Sequence, residues 1–201
     1  MPMLVLVRHG QSTWNLENRF TGETDVPLTE LGREEAKAAG VRLRTIPFAQ
    51  GFTSVLQRAI DTMNLILEEA LQPHLPVTRN PALNERNYGR LQGLNKKDVA
   101  AAYGEDQVAI WRRSYSVRPP GGESLADTAA RVLPYYHSAI EPLLRENKHI
   151  LIVAHGNSLR ALMMFLENIG ENDIPEVDLP TGIPRRYTLD TDLRLENVTY
   201  L

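Results

Sequence analysis

At 201 residues the chain is long enough to bury one core of its own. Hydrophobic residues at 42% and charged residues at 23% match globular averages and exclude disordered, fibrous and membrane classes. Twenty-two basic against 25 acidic residues leave a net charge of −3, which gives nucleic acid no general attraction, and the absence of cysteine excludes disulfides, thiolate metal sites and cysteine nucleophiles.

Residues 4–7 form an unbroken apolar run before Arg8-His9-Gly10, the pattern of a strand buried on both faces and followed by a loop. That run is cut at Arg8, too early for a signal peptide, and no apolar run approaches the roughly 20 residues a membrane span needs. A soluble, cytoplasmic protein without membrane or nucleic-acid partners is expected. Ala36, Ala39, Leu43 and Ile46 recur at the spacing of an amphipathic helix. Leu56, Ile60, Met63, Leu67 and Leu71 repeat the stripe behind Ser54, which reads as an N-cap. Short strands are expected around Phe52 and around 77–78.

From about 84 to 122 the texture turns polar and glycine-rich, as in an insertion over one end of the sheet, with short helices near 96–103 and 106–113. A long helix is expected over 124–147, kinked at Pro134 and bent or ended at Pro142. A second buried strand, 149–154, ends in His155-Gly156-Asn157, and the tail from 186 reads as a hairpin at a sheet edge. Strands alternating with helices predict one α/β domain over 1–201: a three-layer architecture with a mostly parallel central sheet flanked by helices.

Five histidines are present, and only His9 and His155 directly follow an apolar strand and precede glycine. Such positions lie in the crevice at the carboxyl ends of strands, where open α/β sheets bind ligands, so both imidazoles are expected to face one pocket. The bland alternative is a histidine that merely bonds a turn. Zinc is disfavoured because neither histidine sits in a metal-binding spacing, and a nucleophilic or proton-transferring imidazole fits better.

Arginines outnumber lysines 18 to 4, and a guanidinium meets phosphate or carboxylate with two parallel hydrogen bonds. Base composition alone explains some of them as solvated faces. Arg58 resists that account, since it falls in the first turn of a helix, where the macrodipole disfavours a cation unless an anion is bound. Asn157 opens a helix whose free backbone N–H groups suit an anion. Glu85, in Leu83-Asn84-Glu85-Arg86-Asn87-Tyr88-Gly89, is either an ion-pair partner or the group that moves a hydroxyl proton during phosphoryl transfer.

Together Arg8-His9-Gly10-Gln11-Ser12-Thr13-Trp14-Asn15, Asn18-Arg19-Phe20-Thr21-Gly22, Thr53-Ser54-Val55-Leu56-Gln57-Arg58-Ala59, residues 83–93, Trp111-Arg112-Arg113 and Ala154-His155-Gly156-Asn157-Ser158-Leu159-Arg160 resemble the cofactor-dependent phosphoglycerate mutases of the histidine phosphatase superfamily. The resemblance covers nearly the whole chain and implies that fold, with 84–122 covering the substrate. It implies His9 as nucleophile, Arg8, Arg58 and His155 around the transferring phosphoryl group, and Glu85 as proton donor and acceptor. Tyr88, Lys96, Arg112 and Arg113 would hold the substrate carboxylate and the phosphate that stays behind. Ser12, Asn15, Thr21, Gly22, Gly156 and Asn157 would add neutral hydrogen bonds.

The implied reaction interconverts 3-phosphoglycerate and 2-phosphoglycerate in glycolysis and gluconeogenesis, primed by 2,3-bisphosphoglycerate, without a metal, in a monomer or small homo-oligomer. A histidine phosphatase, and a non-catalytic module of the same fold, are the rival readings. Three features depart from the family pattern: Asn87 replaces a histidine, only Gly121-Gly122 separates Pro120 from Glu123, and the mobile carboxyl-terminal tail of longer members is expected to be missing or very short.

Overall fold

The computed structural model describes residues 1–201. One six-stranded sheet runs through it, from strands β1 (Met3–Arg8), β2 (Gln50–Thr53), β3 (Val77–Arg79), β4 (Ile150–Ala154), β5 (Arg185–Leu189) and β6 (Leu195–Tyr200), in the order β3-β2-β4-β1-β5-β6. The first four are mutually parallel, and β5 and β6 form an antiparallel hairpin at the β1 edge.

Side chains alternate across a strand, so the apolar runs of β1 and β4 supply both faces at once. Leu4, Leu6, Ile150 and Ile152 point to one core with the helix α8 (Gly156–Glu167) and the helix α6 (Leu125–Tyr135). Val5, Val7, Leu151 and Val153 point to the other, under helices α2 (Glu30–Arg42) and α3 (Gln57–Glu69). All eight are completely buried, and each such side chain stabilises by about 1.5–3 kcal/mol through burial. This is the expected three-layer α/β arrangement.

Several boundaries differ from the sequence expectation. The helix containing Ala36 and Ala39 stops at Arg42; Leu43 and Ile46 are buried beyond its end because the chain turns back onto the core. The N-cap of α3 is Leu56, with no side-chain cap, and Ser54 serves a different purpose described below. Leu71 leaves the apolar stripe: it adopts φ 60° and is exposed. The long helix is carried past Pro134 to Tyr135, continues as a π turn (Tyr136–Ile140) and resumes as α7 (Glu141–Arg145). The π turn falls immediately before Pro142, whose missing N–H cannot continue the α-helical ladder.

Residues 84–122 supply helices α4 (Lys96–Tyr103) and α5 (Glu105–Arg113). Their apolar residues Val99, Val108 and Trp111 pack with Phe20 and Leu91 in a small cluster of their own. That cluster hangs Lys96, Arg112 and Arg113 over the carboxyl ends of the parallel strands. No helix is long and apolar enough to cross a membrane.

Candidate active site

β1 and β4 are adjacent, with Arg8 paired to Ala154, so the residues that follow them emerge side by side. The rings of His9 and His155 stand 5.0 Å apart, inclined by 60°. Both are buried. A backbone bond from His9 N–H to Ala154 O (2.9 Å) and another from Gly10 N–H to Thr62 Oγ1 (3.1 Å) fix the loop. Gly10 is required there: a Cβ would collide with Gly32 O, because the two glycine backbones pack directly on one another.

The partners of His9 assign its tautomer. Nδ1 lies 2.7 Å from Gly10 O, which can only accept, so Nδ1 carries the proton. Nε2 therefore holds a lone pair and accepts from Arg58 Nε at 3.3 Å. Burial lowers the His9 pKa well below its ordinary value, helped by the charges of Arg58 and Arg8. A neutral imidazole whose Nε2 lone pair is engaged only by a long bond from Arg58, beside a cavity, is a nucleophile at neutral pH once that bond is released.

His155 is likewise held neutral, by burial first and then by Arg58, His9 and Arg8. Its Nε2 is 2.7 Å from Ser54 Oγ, which also accepts from Leu56 N–H at 3.2 Å. Ser54 follows β2 as His155 follows β4, so the side chains meet across neighbouring parallel strands. The strand-end rule applied to the histidines would have found Ser54; its position before a helical stripe hid it.

The cavity in front of His9 has a volume of about 110 Å³, and seven of its lining residues are Arg or Lys against two carboxylates, Glu85 and Asp178. Arg8, His9, Asn15, Thr21, Gly22, Arg58, Glu85, Tyr88, Lys96, Arg112, Arg113, Gly156 and Asn157, all singled out from sequence, line it. Ser12 does not: it is buried and its hydroxyl caps α1 (Thr13–Leu16) by accepting from Asn15 N–H. His155 sits behind His9 rather than on the wall. Arg19, Phe20, Arg160 and Asp178 also line the cavity without having been singled out. Arg160 lies three residues after Asn157 on one helix face, a spacing that could have found it; Asp178 carries no local signal.

Arg58 is spread over three acceptors, with Nη1 on Thr24 O (2.9 Å), Nη2 on Gly22 O (2.7 Å) and Nε on His9. Burial draws its pKa down to about 10, leaving it a cation at neutral pH. Arg8 is tethered through Nη1 to Leu179 O at 2.9 Å. Lys96 has its pKa lowered by burial and by Arg112.

Glu85 Oε1 accepts from Arg86 N–H (2.7 Å) and Asn157 N–H (3.1 Å). The Asn157 amide expected to await an anion is thus taken by this carboxylate, while Oε2 makes no hydrogen bond and lies beside Gly156. Burial alone would raise the Tyr88 pKa, but Arg86, by charge and hydrogen bond, and Asn157 bring it below normal. Asn87 bonds Glu23 Oε2 (2.8 Å) and accepts from Gly89 N–H (2.6 Å), which makes it a loop brace.

Comparison with known proteins gives a consistent result. A family model described as histidine phosphatase superfamily (branch 1) matches residues 4–191. A 2,3-bisphosphoglycerate-dependent phosphoglycerate mutase of Cytophaga hutchinsonii is 56% identical over 201 residues, 100% of this chain and 94% of that protein. One of the same name from Methylocella silvestris is 56% identical over 197 residues, 97% of this chain and 96% of that protein. Among solved structures, a mycobacterial glucosyl-3-phosphoglycerate phosphatase with VO3 superposes with a TM-score of 0.86 at 30% identity, covering 100% of this chain and 98% of that one. A phosphoglycerate mutase from Bacillus anthracis gives 0.77 at 24% identity, over 100% and 92%, a likeness of fold.

Proposed function

The chain belongs to the histidine phosphatase superfamily, and from that premise we propose that it is a 2,3-bisphosphoglycerate-dependent phosphoglycerate mutase. It interconverts 3-phosphoglycerate and 2-phosphoglycerate through a phosphohistidine at His9. The observation that carries this reading is the joint placement of a neutral His9 Nε2 and the cations of α4 and α5 on one cavity. A phosphatase needs the first; a chemistry that retains a multiply charged acid between two transfers needs both.

In the proposed sequence, the His9 lone pair attacks phosphorus as Arg58 Nε transfers its hydrogen bond from His9 to a phosphoryl oxygen. The Nδ1–H···O bond to Gly10 supports the charge that grows on the ring. Arg8 and Arg58 would meet the equatorial oxygens, joined by His155 once its Nε2 exchanges Ser54 Oγ for a phosphoryl oxygen, and donors of this kind are the main source of acceleration in phosphoryl transfer. Glu85 Oε2 takes the proton of the substrate hydroxyl that accepts the phosphoryl group from His9, and returns it to the substrate oxygen that departs when His9 is reloaded.

The excess of cations over carboxylates on the wall fits a glycerate bearing two phosphates. When bound, 2,3-bisphosphoglycerate supplies the phosphoryl group that loads His9. Tyr88, Lys96, Arg112 and Arg113 would hold the end of the substrate that does not react, with Asn15, Thr21, Gly22, Gly156 and Asn157 around the phosphoryl group. Residues 84–122 are the substrate cover, and the cytoplasm, where phosphoglycerates are turned over, is the proposed location. The test is conversion of 3-phosphoglycerate with and without trace 2,3-bisphosphoglycerate. Conversion that depends on the trace, resists a chelator and is blocked by vanadate supports the mutase; bisphosphoglycerate hydrolysis as fast as conversion overturns it.

A further inference from the structure

Arg86 is completely buried, and Arg160 nearly so at 5% exposure, and neither has a carboxylate within ion-pair distance. Other partly buried guanidiniums are paired, Arg131 with Glu123 (3.0 Å) and Arg185 with Glu167 (2.6 Å). Burying an unpaired cation is costly, so its acceptors deserve a close account.

Three of those acceptors are the last carbonyls of α5. Arg86 Nη2 lies 2.9 Å from Trp111 O, 2.9 Å from Arg112 O and 2.9 Å from Tyr88 OH. Arg160 Nη2 reaches Arg113 O (3.4 Å) and Ile174 O (2.5 Å), while its Nη1 donates to Asn157 Oδ1 at 3.0 Å. Helix ends leave such carbonyls without partners, and here each one in the last three residues is met by a buried guanidinium. Both cations stand at the negative end of the helix dipole, which favours them.

We propose that Arg86 and Arg160 are positioning residues, a two-pronged clamp on the carboxyl end of α5 that aims Arg112 and Arg113 into the cavity. The clamp's other contacts run to the transfer centre: Arg86 N–H and Asn157 N–H share Glu85 Oε1, and Asn157 Oδ1 is held by Arg160. The lid cations and the proton-transferring carboxylate are therefore set by one hydrogen-bonded frame. Because Arg112 and Arg113 meet the non-reacting end of the substrate only in the function proposed above, the inference rests on that reading for its ligand.

Binding separates the two. Calorimetry on the full chain measures 3-phosphoglycerate, which spans both ends of the cavity, and orthovanadate, which occupies the His9 end alone. Arg86→Lys and Arg160→Lys each keep a positive charge but lose the planar fork. Arg86→Lys, whose backbone N–H still holds Glu85, should weaken 3-phosphoglycerate by about tenfold or more and leave orthovanadate within about twofold, and Arg160→Lys, which also frees Asn157 Oδ1, should weaken 3-phosphoglycerate more than orthovanadate. In an Arg112→Ala, Arg113→Ala background, Arg86→Lys should cause no further loss, since the groups it aims are gone. A loss of the same size in that background, equal losses for both ligands, or no loss for either overturns the clamp. Arg86→Gln repeats the test if the lysine variant fails to fold. A wild type that binds 3-phosphoglycerate tightly yet never converts it sinks the mutase reading and leaves the clamp standing; a wild type that does not bind it overturns the clamp.

Discussion

The rings of His9 and His155 lie 5.0 Å apart on residues that directly follow neighbouring parallel strands, β1 and β4. The sheet thus brings nucleophile and stabiliser side by side, and the bonds from His9 N–H and Gly10 N–H hold the loop that carries the first. For His155 to meet a phosphoryl group on His9 Nε2, its own Nε2 would have to leave Ser54 Oγ.

Replacing His9 with Gln should abolish the covalent route. Conversion of 3-phosphoglycerate is expected to fall by about a thousandfold or more, with no labelled adduct after incubation with phosphorus-labelled bisphosphoglycerate. His155→Ala should instead keep a slow adduct and lose about a hundredfold or more in rate, as when one preorganised donor is removed. A labelled His9→Gln protein would show that another residue is the acceptor.

Glu85→Gln tests the proton step in isolation. The amide oxygen can still accept from the N–H groups of Arg86 and Asn157, so the local frame survives. Interconversion should fall by about 10²–10⁴ while phosphorylation of His9 by a donor with a good leaving group continues. Retention of full mutase turnover would leave Glu85 as a structural acceptor only.

The strands and their histidines were legible because each apolar run buries both faces and can only be central, and because glycine after histidine marks a turn out of the sheet. The helix boundaries were less so. Leu43 and Ile46 keep the helical spacing yet pack from a loop, since burial constrains which residues are apolar without dictating the backbone between them. In the site, Ser54, Arg86 and Arg160 lie inside the recognisable segments but act through contacts with distant chain segments, and Asp178 lies outside those segments altogether. No local pattern announces that a buried arginine will be spent on the carbonyls of another helix.

Ser54→Ala should act through His155. Its hydroxyl is the partner of a buried imidazole nitrogen and of Leu56 N–H, so removing it costs about 1–3 kcal/mol in stability. A group that orients a reacting residue typically contributes about tenfold or more, and here the loss is expected in kcat with KM unchanged. Thermal unfolding and steady-state kinetics check both parts; a stability loss with unchanged kcat would make Ser54 structural.

Leu71 offers a stability gain. It sits at φ 60° with 73% of its surface exposed, so it bears the left-handed penalty without packing in return. Leu71→Gly removes a strain of about 1–2 kcal/mol and gives back about 0.5–1 kcal/mol in unfolded-chain entropy. A small rise in melting temperature is expected. A fall would mean that the exposed side chain makes a contact worth more than the strain.

Acid should destabilise the protein through the same two imidazoles that do the chemistry. Both His9 and His155 have pKa values well below 6.5 in the folded state, chiefly through burial, while the unfolded chain titrates near 6.5. Between those limits the unfolded state binds more protons than the native one, so stability falls as pH falls. Each histidine contributes a slope of about 1.4 kcal/mol per pH unit below 6.5, and nothing above it. Denaturant unfolding at pH 7.5, 6.5 and 5.5 should therefore show a flat upper interval and a steep lower one. In His155→Phe the lower slope should shrink, since one of the groups with lowered pKa is gone while His9 and His149 remain. Turnover, measured where the fold persists, should show no inflection at 6.5, because His9 keeps its lone pair there. An activity limb centred on 6.5 would mean that the nucleophile is solvated rather than shielded.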